Sequence, residues 1–220
     1  MVDWVDVQAQ PEHLSPAGAP GLVAPGLVEL EAVGLGYRDP SRPTWQLEAP
    51  LRLKFGMRPG VQGFVGWESL VADNQATRTG GIELGGKFDS GTRAGARTAV
   101  TLGWTFRNPT PALGTSHFRL DGMARWSLGP FALDARAGVQ ARATGVLPTA
   151  ALALGTPTTE GLGLVTAAAW DGTDAWAGGT LVWASSPRQP FDLQAWYSPT
   201  AGLRVGFGLT RTLALPWLPD

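Results

Sequence analysis

The sequence predicts an all-β protein, an up-and-down antiparallel transmembrane β-barrel of about 12 strands. Three observations carry that reading. First, segment after segment alternates apolar and polar residues, and each runs for about ten residues, long enough to cross a bilayer at a tilt. Second, Gly at 30 and Pro at 18 of 220 residues mark frequent turns, and only 16% of the chain is charged. Third, 10 Trp stand against 2 Tyr, and several Trp fall near the ends of the alternating segments, where an interfacial girdle would lie.

Composition also narrows the function classes. Lys and Arg number 17 against 18 acids, a net charge of −1, so there is no basic footprint for nucleic acid. Cysteine is absent, which excludes disulfides, thiolate chemistry and Cys-based zinc sites. No apolar run is long enough for a transmembrane helix. No charged and apolar leader opens the chain, so the expectation is a mature outer-membrane protein whose signal peptide has been removed.

Residues 1–26 (MVDWVDVQAQPEHLSPAGAPGLVAPG) are rich in Pro, Ala and Gly without a period. They read as an irregular N-terminal segment, a plug or strap, before a barrel over 27–220. ELEAVGLGYR (29–38) is the first strand. In TWQLEAPLRLKF (44–55), Trp45, Leu47, Leu51, Leu53 and Phe55 fall on one face, against Glu48, Arg52 and Lys54. VQGFVGWESL (61–70) sets Val61, Val65 and Trp67 against Gln62 and Glu68. GIELGGKF (81–88) sets Ile82, Leu84 and Phe88 against Glu83 and Lys87.

The pattern continues in AVTLGWTFR (99–107), where Val100, Leu102, Trp104 and Phe106 oppose Thr101, Thr105 and Arg107. In HFRLDGMARWSL (117–128), Phe118, Leu120, Ala124 and Trp126 oppose Arg119, Asp121 and Arg125. In FALDARAGVQA (131–141), Phe131, Leu133 and Val139 oppose Asp134, Arg136 and Gln140. The Ala-rich stretches 146–155, 162–170 and 175–184 alternate less cleanly but have the length and turn-rich flanks of strands. FDLQAWY (191–197) and LRVGFGLTR (203–211) close the series, with Asp192, Gln194, Arg204 and Thr210 on the polar side.

One common face therefore carries Glu48, Arg52, Lys54, Glu83, Lys87, Arg119, Asp121, Arg125, Asp134, Arg136 and Arg204. Twelve strands enclose more space than side chains readily fill, and the apolar set is heavy in Ala and Gly. Lipid outside and a hydrated, ion-paired lumen inside solves both problems, and the eleven charges are the candidate lining. Trp45, Trp104, Trp126, Trp170, Trp176 and Trp183 are the candidate membrane-interface aromatics.

Other constellations carry no chemistry. Ser116 and His117 are adjacent and would point to opposite faces of a strand, so they cannot pair as nucleophile and base. His13 lies in the irregular segment. GIELGGK has the Gly and Lys spacing of a phosphate loop but lacks the following Ser or Thr and the helix. No acidic series suits calcium, so neither cofactor nor metal is expected.

The stretch GLVELEAVGLGYRDPSRPTWQLEAPLRLKFGMRPGVQGFVGWESL resembles the start of a family of outer-membrane transporters named for the MetA pathway of phenol degradation. Gly26 to Tyr37 is similar to the family's Gly-led, Glu-containing first strand. Leu51 to Met57 is similar to its second strand and turn, and ELGGKF (83–88) to its later G-x-K-aromatic strand. The resemblance implies a membrane barrel with a transport role and brings no catalytic residues. The chain departs from barrels that end on an aromatic residue, because LALPWLPD follows the last strand.

The expected function is a channel or transporter for small solutes through a charged lumen, with outer-membrane lipid and a solute as partners. An occluded structural barrel and a soluble all-β protein for an apolar ligand are the alternatives; a barrel-embedded lipid hydrolase using His117 is a distant fourth. Both termini are expected in the periplasm, with MRPG and LGP as periplasmic turns and ADNQATR and RNPTPALGT outside. DSGTRAG breaks that short-in, long-out order, and ATG is short for an outer loop.

Overall fold

The structure is a computed structural model that describes residues 21–38, 40, 45–67, 70–72, 77–106, 116–156, 161–186 and 188–214. For 70–72 and 77–79 it describes the backbone. His13, Glu68, Arg107, most of the 107–116 connection and the LPWLPD tail lie outside the described residues.

Strands follow from the alternating residues in chain order. They are β1 (Leu27–Arg38), β2 (Trp45–Glu48), β3 (Leu51–Arg58), β4 (Val61–Trp67), β5 (Leu70–Ala72), β6 (Thr77–Thr79), β7 (Ile82–Arg93) and β8 (Ala96–Phe106). Then come β9 (His117–Leu128), β10 (Phe131–Arg142), β11 (Gly145–Gly155), β12 (Gly161–Trp170), β13 (Ala175–Ala184), β14 (Pro190–Ser198) and β15 (Gly202–Ala214). Twelve of these, β1, β3, β4 and β7–β15, pair antiparallel with their neighbours around a closed ring. The ring shuts between β1 and β15, in register from Leu27↔Ala214 to Arg38↔Leu203. Closure leaves no unpaired edge around the ring.

The short strands extend the staves at one mouth. β2 continues β3 past Ala49 and Pro50, and β1 pairs with both. Pro50 has no N–H to give the ladder, and its carbonyl instead accepts from the Val33 N–H at 3.1 Å. β5 and β6 form a hairpin that pairs back to β2 at Leu47↔Ala72. The region 71–79 therefore contains paired strand where the sequence indicated an open loop.

DSGTRAG also differs from its expected form. β7 runs on to Arg93 over a bulge between Asp89 and Gly91, and only Ala94 and Gly95 are left as the turn. Both have positive φ, 49° and 75°, as a two-residue hairpin turn of the twist-matched type needs. This exception to the short-turn order thus disappears, while the 143–144 turn stays short at the other end.

Residues 21–26 pack at the end of the barrel that carries the 59–60, 94–95 and 129–130 turns. Val23 is buried, and its N–H donates to Gln62 Oε1 at 2.8 Å. Pro25 bridges Gly56 in parallel. A Cβ on Gly56 would lie 2.0 Å from the Ala24 carbonyl oxygen, so only glycine lets this strap lie against β3. The Leu27 N–H then donates back to Ala24 O and turns the chain into β1.

Candidate functional site

Every stave shows two faces, and the chemistry is on the inner one. Outward stand Leu47, Leu51, Leu53, Ile82, Leu84, Leu152, Leu164, Leu193 and Phe207, all exposed. Inward, charged side chains are buried against one another, which is the reverse of a soluble barrel.

The charged wall spans β1, β3, β7, β9 and β10. Lys54 lies opposite Glu29 in register, and its Nζ is 3.0 Å from Glu29 Oε1 and 2.5 Å from Glu31 Oε1. All three are buried, Lys54 to 1% exposure. Arg52 pairs with Glu83 and lies 5.0 Å from the centre of the Phe64 ring. Glu83 also faces Arg119, at 4.0 Å. Arg119 Nε stands 2.7 Å from Asp121 Oδ2, and Arg136 Nε stands 3.8 Å from Asp121 Oδ1. The first of these is an ionic contact without hydrogen-bond alignment. Arg125 and Asp134 form a two-pronged pair at 2.7 and 2.8 Å.

Arg52, Glu83, Arg119, Asp121 and Arg136 therefore make a run of alternating charge from β3 to β10. Glycine on the intervening strands makes the reach possible. A Cβ on Gly103 would come within 2.9 Å of Glu83 Oε1, and one on Gly138 within 2.3 Å of Asp121 Oδ1. Lys87 is buried on this face opposite Gln62 and Thr101. Glu48 is half-buried on β2 opposite Leu35, apart from the run. His117 is buried opposite Thr105 and Arg142, while Ser116 is exposed.

The other wall, β11 to β14, is mainly apolar, with Thr180, Asp192, Gln194 and Ser198 buried on β13 and β14. Ala151, Ala153, Val165, Ala167, Val182 and Trp196 form one buried cluster, with Ala169 and Trp176 packed on it. The Trp196 ring lies over Gly178, where a Cβ would meet it at 2.7 Å. Its indole N–H donates to Gln194 Oε1 at 3.0 Å.

Of the tryptophans expected at the membrane interface, Trp45, Trp104, Trp170 and Trp183 are exposed on the outer face and Trp126 is half-exposed there. Trp104 packs with Phe106 and Phe118 near one rim, and Trp183 stacks on Phe191 near the other. Trp176 does not join them. It shares the parity of Gly178, Thr180, Val182 and Ala184, the inner set of β13, so it points into the lumen. Its position at a strand start resembled a girdle site because the Ala- and Gly-rich strand gave no sign of which face was inner.

Trp176 belongs to a cluster around Arg204. The Arg204 guanidinium carbon lies 4.8 Å from the Trp176 ring centre and 5.8 Å from that of Tyr37. Tyr37 and Trp196 are its register partners on β1 and β14. The Tyr37 hydroxyl donates to Ala201 O at 2.5 Å, and the Trp176 indole N–H to Asp171 Oδ2 at 3.0 Å. Asp171 lies in the 171–174 turn, outside the strands. Partial burial pushes its carboxyl up, but the Asp174 and Thr173 N–H groups, the Thr173 hydroxyl and the Trp176 indole together outweigh that and hold it below the ordinary value.

Several inner residues were not singled out from the sequence. Glu29 and Glu31 had a signal, because they flank Leu30 in E-L-E. Trp196 had one too, since it keeps the parity of Asp192 and Gln194. Phe64 had only the parity of Gln62.

No family model matches the chain, and no curated protein does. Solved structures do. The KdgM porin in complex with disordered oligogalacturonate is 9% identical with a TM-score of 0.62, over 83% of this chain and 98% of that one. An outer membrane channel from Pseudomonas putida F1 is 12% identical with a TM-score of 0.62, over 89% and 98%. The NanC porin is 9% identical with a TM-score of 0.59, over 84% and 98%. At these identities the likeness is one of fold, and the fold is that of transmembrane β-barrels from the outer membrane.

Proposed function

We propose that the protein is a narrow outer-membrane channel that passes small polar solutes. The observation that carries this reading is the inversion of the barrel: a continuous apolar exterior around buried ion pairs. Water on both faces would strand the outer leucines, whereas lipid outside and a polar lumen inside satisfy both. The fold likeness to porins and the resemblance of residues 26–88 to the phenol-pathway transporters point the same way. Three two-residue turns, 59–60, 94–95 and 129–130, share an end with the strap against one, 143–144, at the other, which favours the strap's end as the periplasmic one.

A second reading has an observation of its own. Lys54, Lys87 and Gln62 are each exposed by only 1%, and the strap bonds to Gln62, so the bore is tight at that level. An occluded structural barrel would have this feature as well.

Two measurements separate the readings. The folded protein should require detergent and change its mobility in SDS only after boiling; a protein that stays monodisperse without detergent would sink the membrane reading. In planar bilayers the channel reading expects discrete current steps. Deletion of residues 2–24 should enlarge them if the strap narrows the bore. Silence from both the full and the shortened chain would leave the structural barrel.

A further inference from the structure

The inner cations differ in what they face. Arg52, Lys54, Arg119, Arg125 and Arg136 each stand against a carboxylate. Arg204 stands beside two aromatic rings. Among the described residues no carboxylate lies within ion-pair distance of it, and its Nε is buried without an acceptor. Asp171, the carboxylate that holds Trp176, is already occupied by four hydrogen bonds from Thr173, Asp174 and Trp176.

We propose that Arg204, beside the Tyr37 and Trp176 rings, is a binding site for a small organic carboxylate with a flat apolar body. Three physical facts support it. An arginine already paired to a carboxylate offers a solute anion little, because binding must first break that pair. A guanidinium set against rings and not against a carboxylate keeps its charge and its donors for an anionic partner. The apolar cluster begins beside it: Trp176 and Ala169, partly buried on that cluster, provide a surface on which a ring or short hydrocarbon can lie. The charged group and the apolar surface are thus adjacent, which fits an amphiphilic anion better than an inorganic one.

The cluster is also braced. Tyr37 is tied to the 199–201 turn and Trp176 to the 171–174 turn, so both rings are held in place before any solute arrives. This deepens the channel reading and rests on it for a role in passage, but binding itself can be read without current.

The experiment is titration calorimetry of the detergent-solubilised full chain with benzoate and with benzamide, its uncharged isostere. Benzoate should bind at least about tenfold more tightly than benzamide, as a charge-assisted pair predicts. Arg204→Gln should remove that preference. Arg204→Lys, which keeps the charge but not the flat fork, should retain only part of it. Equal affinity for the two ligands, no binding of benzoate, or an Arg204→Gln protein that still prefers benzoate would each overturn the proposal. If Arg204→Gln fails to fold, the two-ligand comparison on the unaltered protein decides alone. Binding without conductance would keep the site and sink the channel reading; conductance without binding would do the reverse.

Discussion

The two walls of the lumen solve the same packing problem with different chemistry. On β1, β3, β7, β9 and β10 the interior is closed by long side chains that reach over glycines to meet opposite charges. On β11 to β14 it is closed mainly by Ala, Val and one Trp, with Thr180, Asp192 and Gln194 buried on β13 and β14. The charged wall cannot lose a member without stranding its partner, because a buried charge without a counterion is costly. The apolar wall can lose a methyl group and relax. The difference teaches that rigidity in this barrel is concentrated on one side. Arg204 stands at the seam, with Tyr37 on the β1 side and Trp196 on the β14 side.

The largest effect should come from breaking the charged wall at its most buried point. Lys54→Met removes the buried ammonium group that both Glu29 and Glu31 contact. The expected loss is about 3–5 kcal/mol, read as a lower urea midpoint for the heat-modifiable folded band. A midpoint equal to that of the unaltered protein would mean that water reaches this group and that the wall is wet. The apolar wall should respond less, but in an informative way. Ala167→Asp places a charge beside Ala153, Val165 and Trp196, and should cost about 2 kcal/mol by the same assay. If it costs nothing, β11 to β14 line an aqueous bore and the contrast between the walls fails.

The same contrast explains what could be read from the sequence. Strand identity and facing were legible wherever charge alternates with Leu or Phe, as in Arg119, Asp121 and Arg125 against Phe118 and Leu120. There a one-residue slip would put charges in lipid, so the pattern admits one register. The apolar wall was not legible, because Ala-rich strands have similar residues on both faces. That is why Trp176 was expected outside and lies inside. The extension of β7 to Arg93 and the β5–β6 hairpin were hidden for another reason. Both depend on ladder partners on other strands, and Ser90, Gly91 and Thr92 in the one and Asp73, Asn74 and Thr77 in the other read locally as loop. Which cations are paired could not be derived either, since pairing depends on which glycines the neighbouring strands place beneath them.

The smallest expected effect lies at the seam and tests whether Trp176 is positioned by the turn or only by packing. The Asp171 carboxyl is held below its ordinary value because its charged form accepts from Trp176, Thr173 and Asp174. A depressed carboxylate stabilises what it bonds when it is ionised. Its contribution is therefore complete above the ordinary aspartate pKa and is lost as pH falls through the lower, folded value, below about 4. Protein labelled with 5-fluorotryptophan, with Trp176 assigned through Trp176→Phe, should show that resonance moving in this acid range and still above it. Asp171→Asn keeps an acceptor oxygen but removes the titration, so its Trp176 resonance should not move over the same range. A resonance that titrates equally in both proteins would show that Asp171 does not govern the ring. Trp176 would then be held by the apolar wall alone, and Arg204 would lose one of the two braces that keep its rings in place.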